Sequence, residues 1–198
     1  MWMRYGTRVA LATSLMAIVM VAPLLASKIK SRGDADPTFD FKGIRSWAWA
    51  ADGPGDVKMA RSSQDDPKAL LAIFGPTVVE SIVKELGARG LSQVDPSDAP
   101  LKMHYYVLVT VGFEAQTLGQ FLPPITDWGL APFAPVTQSL NVIQTGSIVL
   151  DAVSSKLNRV VWRGISQTEI EKLKNDDERK QVIRDAVKDL VSKKFPKT

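Results

Sequence analysis

One histidine, no cysteine and 21 acidic residues set the limits of the chemistry this chain can carry. Without Cys there is no thiol nucleophile, iron–sulfur cluster, Cys-type zinc site or disulfide. Imidazole is the side chain suited to general base work near neutral pH, which makes His104 the single candidate of that kind. Yet it stands inside an alternating apolar run, and no Ser occupies a G-x-S-x-G elbow. A sheet-face histidine is the commoner outcome. Asp34, Asp36 and Asp40 begin like a calcium loop, but Phe39 and Arg45 stand where that loop needs Gly and Glu, which excludes an EF-hand. Asp95 and Asp98 belong to DPSDAP, a turn. Neither G-x-x-x-x-G-K-[ST] nor G-x-G-x-x-G occurs, so neither cofactor nor metal is expected.

Two aromatic groups remain as candidate binding elements. Trp47 and Trp49 share one strand face with Phe39 and Phe41 nearby, as a stacking platform for sugars or bases would. Core packing explains the same spacing. Phe121, Trp128 and Phe133 lie in the segment 116–138 among Pro123, Pro124, Pro132 and Pro135. Those prolines forbid a central strand, and apolar side chains in so long a loop are rarely left in water. They are the candidate partner-binding residues, docking on lipid headgroups or a partner, or folding back over an open sheet face.

The elements that must position these residues come from periodicity. A chain of 198 residues fits one domain able to bury roughly 70% of its unfolded surface. Phe39–Ala50 suits a first strand, followed by the loop ADGPGD. Asp66-Pro67 supplies a helix N-cap and first-turn proline, and Gly75-Pro76 interrupts the apolar stretch after it. Val78, Val79, Ile82, Val83 and Leu86 then recur at helical spacing over 76–88. Leu101–Glu114 alternates with period two, and 145–153 and 159–167 form a hairpin through SSKLN. In that hairpin Val160 and Trp162 should share one face, with Val161, Arg163 and Ile165 on the other, and Trp162 should lie under a helix. Residues 176–195 form a last helix, with acids at its start and Lys193 and Lys194 at its end. The order predicts an α+β fold: an antiparallel or mixed sheet of four to five strands with two helices on one face, preceded by an N-terminal apolar helix.

That apolar segment is Val9–Ala26, eighteen residues without a charge, and Arg4 and Arg8 precede it. It reads as a signal peptide cleaved after Ala26, or as a short uncleaved membrane anchor, about 20 apolar residues being the usual span. Residues 27–38 read as a polar tether and 39–198 as the domain. Lys28, Lys30, Arg32, Lys42 and Arg45 come after the segment, so the positive-inside rule counted literally keeps the remainder in the cytoplasm. A first segment with so short a head usually exports the chain behind it, and export is the expectation. Beyond residue 26 the chain carries 23 basic and 21 acidic residues without a basic stripe, so no nucleic-acid partner is implied.

FDFKGIRSWAWA at 39–50, SIVLDAVSSKLNRVVWRGISQ at 147–167 and the terminal KKFP at 193–196 together resemble the bacterial cell-envelope family known as domain of unknown function 4136. Val161-Trp162-Arg163-Gly164 is the most specific piece, and the likeness covers about 38–196. The resemblance implies an exported protein, in many members a lipoprotein; here the lipobox Cys is absent, and the middle loop is Pro-rich where members often have Gly and Tyr. The expectation is a non-enzymatic envelope protein facing the periplasm, soluble after cleavage or anchored through 9–26. It would bind an envelope protein, lipid or glycan. The alternative is an envelope hydrolase or lyase with a site near His104.

Overall fold

The strict alternation of Leu101–Val109 builds the middle of the sheet. The structure, a computed structural model, describes residues 29–59, 66–109, 116–117, 139–140, 145–170 and 173–198. Among the described residues, nine strands and two helices run in the order β1 (Lys30–Ala35), β2 (Ser46–Trp49), β3 (Gly55–Met59), α1 (Pro67–Ala88), β4 (Ser92–Gln93), β5 (Leu101–Val109), β6 (Gln116–Thr117), β7 (Ser139–Leu140), β8 (Thr145–Ser154), β9 (Arg159–Glu169) and α2 (Asp176–Lys194). Seven form one mixed sheet in the order β1-β9-β8-β5-β2-β4, with β3 also on β5. β1, β9, β8 and β5 pair antiparallel in turn, whereas β2 and β3 run parallel to β5. The α+β class and the two helices match expectation; the sheet is larger than the four to five strands read from the sequence.

Most of the excess comes from short strands. The aromatic strand expected over 39–50 is reduced to β2, because Phe39–Arg45 is spent on turns: Asp40 accepts from the Lys42 amide (2.9 Å), and Gly43 adopts φ 84°. β1 falls within the span read as tether. Its polar composition hid a strand held by register from Lys30↔Gln167 to Ala35↔Trp162. β3 emerges from the loop GPGD, where Gly55 sits opposite Tyr105 and a Cβ would run into its ring. The apolar helix expected at 9–26 lies outside the described residues. Among the described residues no helix is long and apolar enough to cross a membrane.

Both helices pack on one face of the sheet. Asp66 caps α1 by accepting from the Lys68 amide (3.0 Å), and the helix runs on through Gly75-Pro76. The missing Pro76 amide costs one rung. Gly75 leaves room for Leu71 and the Tyr105 hydroxyl, each 3.2 Å from where its Cβ would stand. Val78, Ile82 and Leu86 of α1 and Val187, Leu190 and Val191 of α2 meet Leu101, Met103, Tyr105, Leu150 and Trp162 in one core. Trp47 belongs to that core, with Trp49 packed against it edge to face at 4.8 Å, so this aromatic pair is packing. Asn175 caps α2, accepting from the Glu178 amide (2.9 Å), and Arg89 donates to the carbonyls of Val191, Ser192 and Pro196 at the other end.

The hairpin is as expected in outline and different in detail. Trp162 is fully buried, and its Nε1 donates to the Lys194 carbonyl (3.1 Å). A β-bulge shifts the register from Ala152↔Trp162 to Val153↔Val160. Val161 is the extra residue, and it joins Trp162 in the helix-side core where alternation placed it on the opposite face.

Candidate functional site

Chemistry-bearing side chains concentrate on the sheet face opposite the helices. Asp34, Arg163, Asp151 and His104 are successive register partners across β1, β9, β8 and β5, forming one polar row. Arg163 and Asp151, 0% and 2% exposed, form a bidentate pair: Nε to Oδ1 at 2.6 Å and Nη2 to Oδ2 at 2.5 Å. Burial pushes the Asp151 carboxyl up from the usual carboxylate range, with Arg163 and His104 pulling it back. His104 at the end of the row has its Nδ1 3.2 Å from the Gly53 carbonyl and 3.7 Å from Oδ1 of the exposed Asp52. Its ring lies 4.7 Å from that of Tyr106. The Tyr106 hydroxyl is pushed up to about 12 by burial, reinforced by Asp151, which keeps it protonated at neutral pH. Leu108, Val149 and Ile165 form a small apolar cluster beside Tyr106.

Bonds within the fold tie the middle of this row together. Both Asp151 oxygens are engaged by Arg163, and the contact from the His104 ring goes to a main-chain carbonyl. His104, the candidate base, thus lies beside a salt bridge, and its ring meets the Gly53 carbonyl, the Asp52 carboxylate and the Tyr106 ring instead of an aliphatic hydroxyl. Sequence reading missed the Asp151–Arg163 pair. Its signal was present: one acid in the apolar run of β8 and one base in that of β9, at positions that a hairpin brings opposite. Asp36, within the span read as a polar tether, is buried, accepting from the Thr38 amide (2.8 Å) and hydroxyl (2.7 Å) and pairing with Arg159 at 2.6 Å. Phe121, Trp128 and Phe133 lie outside the described residues; β6 and β7 pair on either side of the segment that holds them.

The second feature is a cleft on the helix face. Phe74 of α1, Val107 and Val109 of β5, Ile148 of β8, Ile183 of α2 and Ile170 line a partly open space of about 90 Å³ whose walls are almost wholly apolar. Among the described residues of the lining, Arg179 is the charged one, ion-paired to Asp176 at 3.0 Å.

Residues 31–197 match the family model described as domain of unknown function (DUF4136). The chain belongs to this family. In this DUF4136 member Trp162 fills the core, Arg163 holds Asp151, and Gly164 lies beneath the Trp162 ring, where a Cβ would also stand 2.7 Å from Leu190. No curated protein matches the chain. Among solved structures, a PelC dodecamer from Paraburkholderia phytofirmans aligns at 10% identity and TM-score 0.38, covering 83% of this chain and 96% of that one. A PDZ domain protein from Parabacteroides distasonis aligns at 12% identity and TM-score 0.49, covering 87% of this chain and 37% of that one. A DUF330 protein from Xanthomonas campestris gives 11% identity and TM-score 0.37, over 80% and 85%.

Proposed function

We propose that this protein is a non-enzymatic envelope module, held at the inner membrane by residues 9–26 with its domain facing the periplasm, and that it binds rather than transforms its partner. What carries the reading is the contrast between the two features. The polar row is engaged in structural bonds, while an apolar cleft is left open between two helices and the sheet. Phe121, Trp128 and Phe133 are the proposed partner contacts from the Pro-rich segment, directed at an envelope protein, lipid or glycan. Anchoring is favoured over cleavage because Leu24 is a poor residue three positions before the cut and Lys28 comes almost at once after it.

Alkaline phosphatase fused after Thr198 should be active, and a fluorescent protein that matures only in the cytoplasm should stay dark. The reverse pattern would show that the literal charge count around the segment decides orientation. The fractionated protein should retain the mass of all 198 residues; loss of the first 26 would replace anchoring by cleavage.

A further inference from the structure

The cleft opens at one particular end of the sheet. Lys30↔Gln167, Gln167↔Ser147, Ser147↔Leu108 and Leu108↔Lys58 are consecutive register partners, so the start of β1 and the cleft-lining ends of β5, β8 and β9 lie at the same edge. Three residues lie between Ala26 and Lys30, four chain steps with a reach of at most about 14 Å. Two strand spacings, about 10 Å, separate β1 from β8. A segment 9–26 embedded in a bilayer therefore holds this edge, and the cleft with it, against the membrane surface. The helix beside the cleft has a matching composition. From Ala69 to Val79 α1 carries no charge, and Ala69, Ala72, Ile73 and Pro76 are exposed, Ile73 by 42%.

We propose that this cleft holds the end of one acyl chain of a membrane phospholipid. The inference rests on the anchored reading above. An engineered apolar cavity of roughly 150 Å³ takes up benzene. A space of about 90 Å³, open on one side, instead suits the last few carbons of a slender alkyl chain, the rest passing out over the uncharged stretch of α1.

The test uses the full chain reconstituted in phosphatidylethanolamine–phosphatidylglycerol vesicles doped with a phospholipid that carries a photoactivatable diazirine near the end of one acyl chain. After illumination, labelled peptides are mapped by mass spectrometry. Label on the peptides holding Val107, Val109, Ile170 and Ile183, beside label on 9–26, is the expected result. Ile183→Trp fills the cleft and should lower the first signal about tenfold, the loss of burial of roughly two methylene groups, while leaving that on 9–26 unchanged. Val182→Trp repeats the test from a neighbouring position, and circular dichroism confirms that each variant is folded before it is scored. Label on 9–26 alone overturns the lipid site and leaves the anchor standing. Equal cleft labelling in the parent and in both folded variants also overturns it. Absence of label from both regions overturns the anchor and the lipid site together.

Discussion

Arg163→Ala leaves the Asp151 carboxylate buried beside the space of its lost partner, and that uncompensated charge should cost about 3–5 kcal/mol in urea titration. Replacing both partners, as Asp151→Leu with Arg163→Met, should recover most of the loss, because no charge then needs a partner in the interior. A double variant as unstable as the single one would show that the pair does more than satisfy itself. Asp36 gives a pH effect with a definite sign. Against the upward push of burial, the Thr38 hydroxyl and amide and the Arg159 guanidinium hold its carboxyl below the ordinary carboxylate value. Ionisation is thus favoured by folding. The contribution is complete above the unfolded value of about 4 and is lost as pH falls through the lower folded value. Urea midpoints of the parent should therefore drop more steeply than those of Asp36→Asn as the pH is lowered below about 4. Parallel curves would remove Asp36 from the acid limb.

At the scale of elements, the parts legible in the sequence were those whose periodicity is set by burial on one side. β5 and α2 present a clean repeat because one face meets the core, so Leu101, Met103 and Tyr105 or Val187, Leu190 and Val191 announce themselves, whereas β8 and β9 are buried on both faces and show as short apolar runs joined by a turn. β1 and β4 were not legible: their side chains are mostly exposed, and what fixes them is main-chain pairing to β9 and β2, which leaves no apolar pattern. The continuation of α1 through Pro76 was hidden because Gly-Pro ordinarily ends a helix, and what Gly75 accommodates, the Tyr105 hydroxyl of β5, lies far off in sequence. The same holds for the polar row, where each member looks like an isolated charge until the hairpin closes. Arg89 was equally silent, a basic residue after a helix that proves to cap a different helix 102 residues on and to lie 5.6 Å over the Phe195 ring. Arg89→Ala should lower stability by about 1–3 kcal/mol through the carbonyls it deserts. A thermal midpoint unchanged within error would show that water replaces it.

For the whole molecule, the two faces of the sheet differ: the buried Asp151–Arg163 pair sits on one and the partly open apolar cleft on the other. Replacing Phe121, Trp128 and Phe133 together by Ser should weaken envelope association, measured by cross-linking and pull-down, while the thermal midpoint stays nearly unchanged. Unfolding well below the parent would instead make those residues part of the core. The pairing of the outermost strand also bears on how the domain comes into being. β1 is the first strand made, and its mate β9 is nearly the last; Ser31 and Ser166, joined hydroxyl to hydroxyl at 3.0 Å, stand 135 residues apart. At synthesis rates of about 5–20 residues per second, that interval is roughly 7–27 s. Throughout it the opening strand has no ladder to join, whereas β5, β8 and β9 can pair as they emerge. Assembly is therefore ordered from the C-terminal hairpin backwards. The residues of β1 are the last to be zipped into place.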